Sequence, residues 1–252
     1  MNIISKNTII GNNFKIGYFN VISDNVIIGD NVEIGNNVKI DTNTTIGNNV
    51  KISDGAIIGG EPQEHRFDGI NDGKITIGDN TIIREYVTVN KNFVKGGSTI
   101  IGKNCLILAY SHISHDTVIE DKVTITNLVQ IGGYSIIQEG ANIGAGVLIH
   151  QRSTIGTYSM VGGDSVIVKD VIPYSLVGGS PVRYKRINLV GLRRNGFTNE
   201  QIKNIDDFYK IIFKSGKNIT DSINELSESI LNKEQETIFN FIKNSRRGVL
   251  KI

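Results

Sequence analysis

The stretch IGKNCLILAYSHISHDTVIEDKVTITNLVQI, residues 101–131, places isoleucine at positions 101, 107, 113, 119, 125 and 131. A helix repeats its apolar face about every 3.6 residues and an amphipathic strand every 2. A strict interval of six is neither, and fits a short strand plus a turn, repeated. Toward the C-terminus the frame continues through Ile137, Ile143, Ile149, Ile155, Val161 and Ile167. Toward the N-terminus it returns as Ile77, Ile83 and Val89, and runs unbroken from Ile10 to Ile58. Three units close one triangular coil, so each inward isoleucine should stack on its counterpart in the next coil. Such coils sit about 4.7–4.9 Å apart through backbone hydrogen bonds. No coil buries its inner face alone, and each buried isoleucine contributes roughly 1.5–3 kcal/mol. The expected fold is mainly β, a parallel β-helix.

The rest of the composition fits a chain that turns at regular intervals. There are 28 glycines and 3 prolines, with strings such as Gly29-Asp30-Asn31 and Gly47-Asn48-Asn49. Gly, Asn and Asp tolerate turn and left-handed backbone angles. Two segments, 59–74 and 90–99, break the frame and read as loops projecting from the prism, where function concentrates. Past Ile167 the pattern dissolves through Pro173, Gly178, Gly179 and Pro181. Thr198 and Gln201 form a capping-box pattern opening a helix with Ile202, Ile205, Tyr209 and Ile212 on one face. Gly216 is its expected stop. Thr220 is the expected cap of a second helix bearing Ile223, Leu226 and Ile230, and Ile238, Phe241 and Ile242 mark a third. The chain thus divides into a β-helix at 1–182 and an α-helical C-terminal domain at 183–252.

Charge and cysteine content exclude several classes. A net charge of +2, with both signs interspersed, gives no nucleic-acid footprint. The single cysteine, Cys105, cannot form an intrachain disulfide, which suits a reducing compartment. No apolar run of about 18 residues predicts a membrane span, and no signal-peptide pattern opens the chain. A cytoplasmic location is expected.

Three of the four histidines, His112, His115 and His150, lie within two positions of Ile113 or Ile149, on one edge of the prism. His115 and Asp116 have the chemistry of a general base with its electrostatic partner. Two other readings stand beside that one. Zinc could use His112 and His115, although three residues apart on a strand and turn do not aim both rings at one point, and no cysteine is near in the frame. Surface histidines bonding between coils would also account for them. No metal is expected.

Several strings together resemble the UDP-N-acetylglucosamine O-acyltransferases of lipid A synthesis. They are Gly60-Glu61-Pro62-Gln63, Ile83-Arg84-Glu85, His112-Ile113-Ser114-His115-Asp116, His150-Gln151 and Val161-Gly162-Gly163, then Asn188, Gly191-Leu192-Arg193-Arg194, Gly196-Phe197 and Ser245-Arg246-Arg247-Gly248. The resemblance implies a left-handed coil and a homotrimer whose sites lie between subunits. It makes His115 the general base, oriented by Asp116, with the Gly133 N–H stabilising the tetrahedral oxyanion. It makes His112, His150, Gln151, Tyr134, Gln63 and Glu64 substrate contacts, Gly163 an acyl-length position, and Asn188 with Arg194 a nucleotide-binding pair. It implies no tightly bound cofactor, with the acyl thioester of acyl carrier protein, or of coenzyme A, as co-substrate.

The chain departs from the family pattern in its substrate shell. Tyr134 and Asn90 stand where histidines are common, Val190 where an acidic residue is, Asn195 where a basic one is, and Pro181 where an acyl-pocket histidine is. The expected function is acyl transfer, of a 3-hydroxyacyl group, from acyl carrier protein to the 3-position of UDP-N-acetylglucosamine. The alternative is N-acylation of a nucleotide-linked amino sugar from an acyl carrier protein or coenzyme A donor. A catalytically silent trimeric scaffold is the third reading, which leaves the intact His115-Asp116 pair unexplained.

Overall fold

A computed structural model describes residues 1–250 apart from 68, 70, 71, 214, 215, 217 and 227–230. Strands of mostly two residues visit three faces in turn, forming parallel sheets of nine, eight and ten strands. The first face carries Val21–Ile22, His112–Ile113, Gln130–Ile131, Leu148–Ile149 and Val166–Ile167; the second includes Thr154–Ile155 and the third Met160–Val161. The result is a left-handed parallel β-helix. Its last sheet closes with an antiparallel strand, Arg183–Ile187, on Ser175–Gly178.

Isoleucines of the six-residue frame are buried from Ile22 to Ile167, none more than 4% exposed. Ile10 is 38% exposed because its coil is the first and nothing stacks beneath it. A second inward column, which the isoleucine frame alone does not reveal, lies two residues before the first. Val26, Val32, Val38, Thr44, Val50 and Ala56 are each at most 1% exposed. Strand periodicity is the reason, since residues two apart point the same way. Ile131 stacks between Ile113 and Ile149. Ile131→Ala should therefore cost about 2–5 kcal/mol and Ile131→Val about 0.5–1.5. Denaturant midpoints at fixed protein concentration would check both.

The turns divide labour differently from the expectation. Asn13, Asn31, Asn49 and Asn80 take the left-handed angle, with φ between 54° and 58°. Their side-chain amides form a ladder up the prism, Asn13 donating to Asn31, Asn31 to Asn49 and Asn49 to Asn80 at 2.9–3.1 Å. Gly29 is needed for proximity instead. A Cβ there would lie 2.6 Å from Asn48 Oδ1 and 2.8 Å from the Gly47 carbonyl.

Both interruptions start later and end sooner than the frame alone indicates. Strands Ile57–Gly60 and Thr88–Asn90 pair as far as Gly60 with Asn90, and Lys74–Ile77 pairs with Ser98–Ile101 from its first residue. Backbone pairing thus captures the ends of both loops. Asn90 Nδ2 donates to the Glu61 carbonyl, tying one loop to the other.

The C-terminal part packs its own core of Ile172, Tyr174, Ile187, Leu192, Ile205, Phe208, Tyr209, Ile212, Ile223, Ile238 and Val249. Among the described residues four helices contribute: α1 (Leu189–Arg194), α2 (Asn199–Phe213), α3 (Ile219–Glu225) and α4 (Lys233–Asn244). Helix α1 was not expected; its six residues are too few for a periodic signal. The Thr198–Gln201 capping box forms in both directions, at 3.2 and 2.9 Å. Asn218, not Thr220, caps α3, its side chain accepting from Asp221 N at 2.9 Å. Ile230 lies outside the described residues. After α4 the chain returns to the last coil, where Asp170 N donates to the Gly248 carbonyl and Leu250 N to the Asp170 carbonyl. Among the described residues no helix is long and apolar enough to cross a membrane.

Candidate active site

The corner between the first and second faces follows Ile113, Ile131 and Ile149 in successive coils. The coil repeat there stacks His115, Gly133 and Gln151 in one column and Asp116, Tyr134 and Arg152 in the next. Backbone bonds from Tyr134 N to the His115 carbonyl, at 3.1 Å, and from Arg152 N to the Gly133 carbonyl, at 2.9 Å, fix that stacking. Asp116, Tyr134 and Arg152 all adopt left-handed φ, at 57°, 59° and 64°.

His115 is 4% exposed, and its Nδ1 lies 2.7 Å from Asp116 Oδ2. The Asp116 carboxylate also accepts the Phe93 N–H at 2.7 Å and the Val94 N–H at 3.3 Å, while Asp116 N donates to Thr99 Oγ1. A carboxylate at Nδ1 holds the proton there and leaves Nε2 with its lone pair free.

Gly133 lies directly against that Nε2. A Cβ added to it would stand 2.8 Å from both Cε1 and Nε2 of His115. At the equivalent turn position of other coils, the N–H donates to a side chain of the next coil: Asn12 to Asp30, Asn36 to Asp54, Lys103 to Asp121, each within 2.7 Å. The next residue in the Gly133 column is Gln151, and the Gly133 N–H has no acceptor among the described residues. An unpaired N–H beside an imidazole acceptor is a donor–base pair suited to acyl transfer.

Below the corner, His112 and His150 share a cavity of about 340 Å³ with Gln63, Ser114, Leu148 and Val166. His112 Nδ1 is 2.8 Å from Thr88 Oγ1, and burial, reinforced by nearby His115, pushes its pKa below the usual value. His150 Nδ1 faces the Gln151 carbonyl at 3.0 Å, which also accepts from Arg247 at 3.1 Å. Glu64 pairs with Arg66 at 3.3 Å, and Arg66 holds its carboxyl below the usual range.

Sequence reasoning missed Thr88, Phe93, Arg66 and Arg152. Arg152 could have been found, one coil beyond Tyr134. Phe93 and Arg66 could not, because both lie in loops outside the frame. Among the described residues no group of three potential metal ligands gathers; His112 and His115 each turn Nδ1 to a different partner.

One chain does not bring Gly163, Asn188 or Arg194 to His115. Gly163 is exposed on another corner, after Val161. Asn188 caps α1, accepting from Gly191 N at 3.2 Å and donating to the Tyr158 carbonyl at 2.9 Å, at the corner between the second and third faces. Arg194 is exposed in the last turn of α1, Asn195 caps its end, and Val190 is 56% exposed. Pro181 lines a separate apolar cavity of about 430 Å³ with Val166, Val168, Val182 and Leu250.

Known proteins share this fold. The pattern described as Udp N-acetylglucosamine O-acyltransferase; Domain 2 matches residues 170–250, and the bacterial transferase hexapeptide pattern matches 7–42 and 98–133. A UDP-N-acetylglucosamine acyltransferase structure from Bacteroides fragilis superimposes with a TM-score of 0.94 at 40% identity, covering 99% of this chain and 98% of that one. The enzyme from Moraxella catarrhalis gives 0.94 at 33% identity, with 99% and 98% covered. The acyl-(acyl-carrier-protein)–UDP-N-acetylglucosamine O-acyltransferase of Aliarcobacter butzleri is 41% identical over 248 residues, 98% of this chain and 95% of its own. With its buried His–Asp pair set on that scaffold, the chain belongs to the UDP-N-acetylglucosamine O-acyltransferase family.

Proposed function

We propose that this protein moves an acyl group, a 3-hydroxyacyl group in particular, from acyl carrier protein to the 3-hydroxyl of UDP-N-acetylglucosamine. The observation that carries the reading is the buried His115, bonded to Asp116 through Nδ1 and bare at Nε2, beside the unpaired Gly133 N–H. Nε2 takes the proton of the sugar hydroxyl as its oxygen attacks the thioester carbonyl. Asp116 holds the resulting imidazolium. The Gly133 N–H donates to the tetrahedral oxyanion, and collapse expels the carrier thiolate, which recovers the proton from His115. His112, His150, Gln151, Gln63, Glu64 and Tyr134 surround the bound substrates.

The same reading makes the protein a homotrimer. Asn188 and Arg194 sit on a different edge from His115, so a nucleotide contacting them could reach the base only in a cleft between copies. Gly163 then faces the acyl chain, and the division at 182/183 assigns the closing strand Arg183–Ile187 to the same part as the helices that flank the prism. A carrier-protein donor and a nucleotide-sugar acceptor are cytoplasmic reactants.

The test offers purified protein UDP-N-acetylglucosamine and a panel of nucleotide-linked amino sugars, with acyl carrier protein and coenzyme A thioesters, and weighs the products. Ester formation on UDP-N-acetylglucosamine from the carrier thioester is expected. Selective amide formation on an amino sugar would replace this reading with N-acylation.

A further inference from the structure

We propose that Arg152 is a positioning residue for His115, acting through Tyr134. The inference rests on His115 being the base. In the His115 column the next residue up is Gly133, so nothing in that column covers the imidazole. The neighbouring column fills the space. The Tyr134 ring meets His115 at 88° with centroids 5.1 Å apart, and the Arg152 guanidinium lies over the Tyr134 ring, 4.3 Å from its centroid. Arg152, Tyr134 and His115 are therefore a stack of three coils, ending on the Nδ1–Asp116 bond.

Tyr134 and Arg152 occupy left-handed positions, with φ 59° and 64°, which other bulky residues also take in the prism, Tyr86, Tyr110 and Tyr158 among them. What ties this pair to the site is the contact of the two side chains with each other and of Tyr134 with His115. The other flank of His115 is held by Phe93, at 6.2 Å and 68°, under the Arg66 guanidinium at 5.5 Å. Arg66 is neutralised by Glu64, whereas Arg152 makes no ion pair among the described residues. Its described side-chain contact is the Tyr134 face. A cation over a ring is attracted by the ring's quadrupole, so Arg152 presses Tyr134 into the edge-on contact that fixes the imidazole.

A double-mutant cycle on the intact protein tests this, with kcat and KM measured for acyl carrier protein thioester and nucleotide sugar. Small displacements of a reacting group cost up to about 100-fold, so Arg152→Ala should lower kcat by about tenfold. KM for either substrate should stay within about twofold of wild type. Arg152→Lys, which keeps a cation over the ring, should recover most of the loss. In the Tyr134→Ala background, Arg152→Ala should cost nothing further, because the path it acts through is gone. A rise in KM with kcat preserved would overturn the proposal and make Arg152 a direct contact for an anionic substrate group. An undiminished loss in the Tyr134→Ala background would overturn it too. His115→Ala belongs in the same panel. If it stays active, the base assignment falls; if it is inactive while Arg152→Ala is silent, only the Arg152 inference falls.

Discussion

His115→Ala should reduce kcat by about 100- to 10,000-fold, the range a positioned proton-transfer group supplies. Turnover should fall without loss of the assembled fold. Among the described residues His115 is the imidazole whose Nδ1 is held by a carboxylate. Glu64 is engaged by Arg66, and His112 turns Nδ1 to Thr88 at 2.8 Å within the cavity below. The substitution also empties a buried site between Tyr134 and Phe93, and the cavity will cost stability. His115→Gln separates the two effects, since its amide keeps most of the volume and can still donate to Asp116. Both variants should lose turnover similarly while His115→Gln keeps the higher thermal midpoint. Near-wild-type kcat in either would remove His115 from the proton-transfer step.

Much of this site was legible because the fold is periodic. Once isoleucines at 113, 131 and 149 are known to stack, His115, Gly133 and Gln151 must stack as well, and so must Asp116, Tyr134 and Arg152. The sequence distance between neighbours is fixed by the coil, so a spatial cluster can be read from a spacing. That logic stops at the insertions. The Ile58–Val89 register spans 31 residues and Val89–Ile113 spans 24, against 18 for an uninterrupted coil such as Ile113–Ile131. Residues within the extra lengths have no frame, so the Phe93 N–H on Asp116 could not be inferred. The capping contact of Asn188 was hidden for another reason: its side chain caps α1 and donates to the Tyr158 carbonyl, a geometry set by how the helices fold back. The second inward column and the asparagine ladder were available in principle, and both follow from strand and turn geometry.

Gly133→Ala should be nearly as damaging as removing the base, with kcat lowered by about 100-fold, because it moves the imidazole rather than deleting it. The new methyl would need to share space with Cε1 and Nε2 of His115, each 2.8 Å away. Real Cβ contacts do not come so close, so something must shift. The His115 ring is the part that can move, since the Gly133 backbone is held by the Arg152 N–H at 2.9 Å and the strand Gln130–Ile131 before it. Gly133 is not among the residues with left-handed φ, so alanine is tolerated by the backbone and the fold should survive. Alanine keeps the N–H that would serve the oxyanion, and the loss therefore reports displacement of Nε2 alone. Gly178→Ala is the matched control. Its added Cβ meets its nearest atom at 3.5 Å, an ordinary contact, and should leave both stability and turnover close to wild type. If Gly133→Ala is as active as Gly178→Ala, the imidazole has room to spare, and the close fit of Gly133 against Nε2 is not what positions the base.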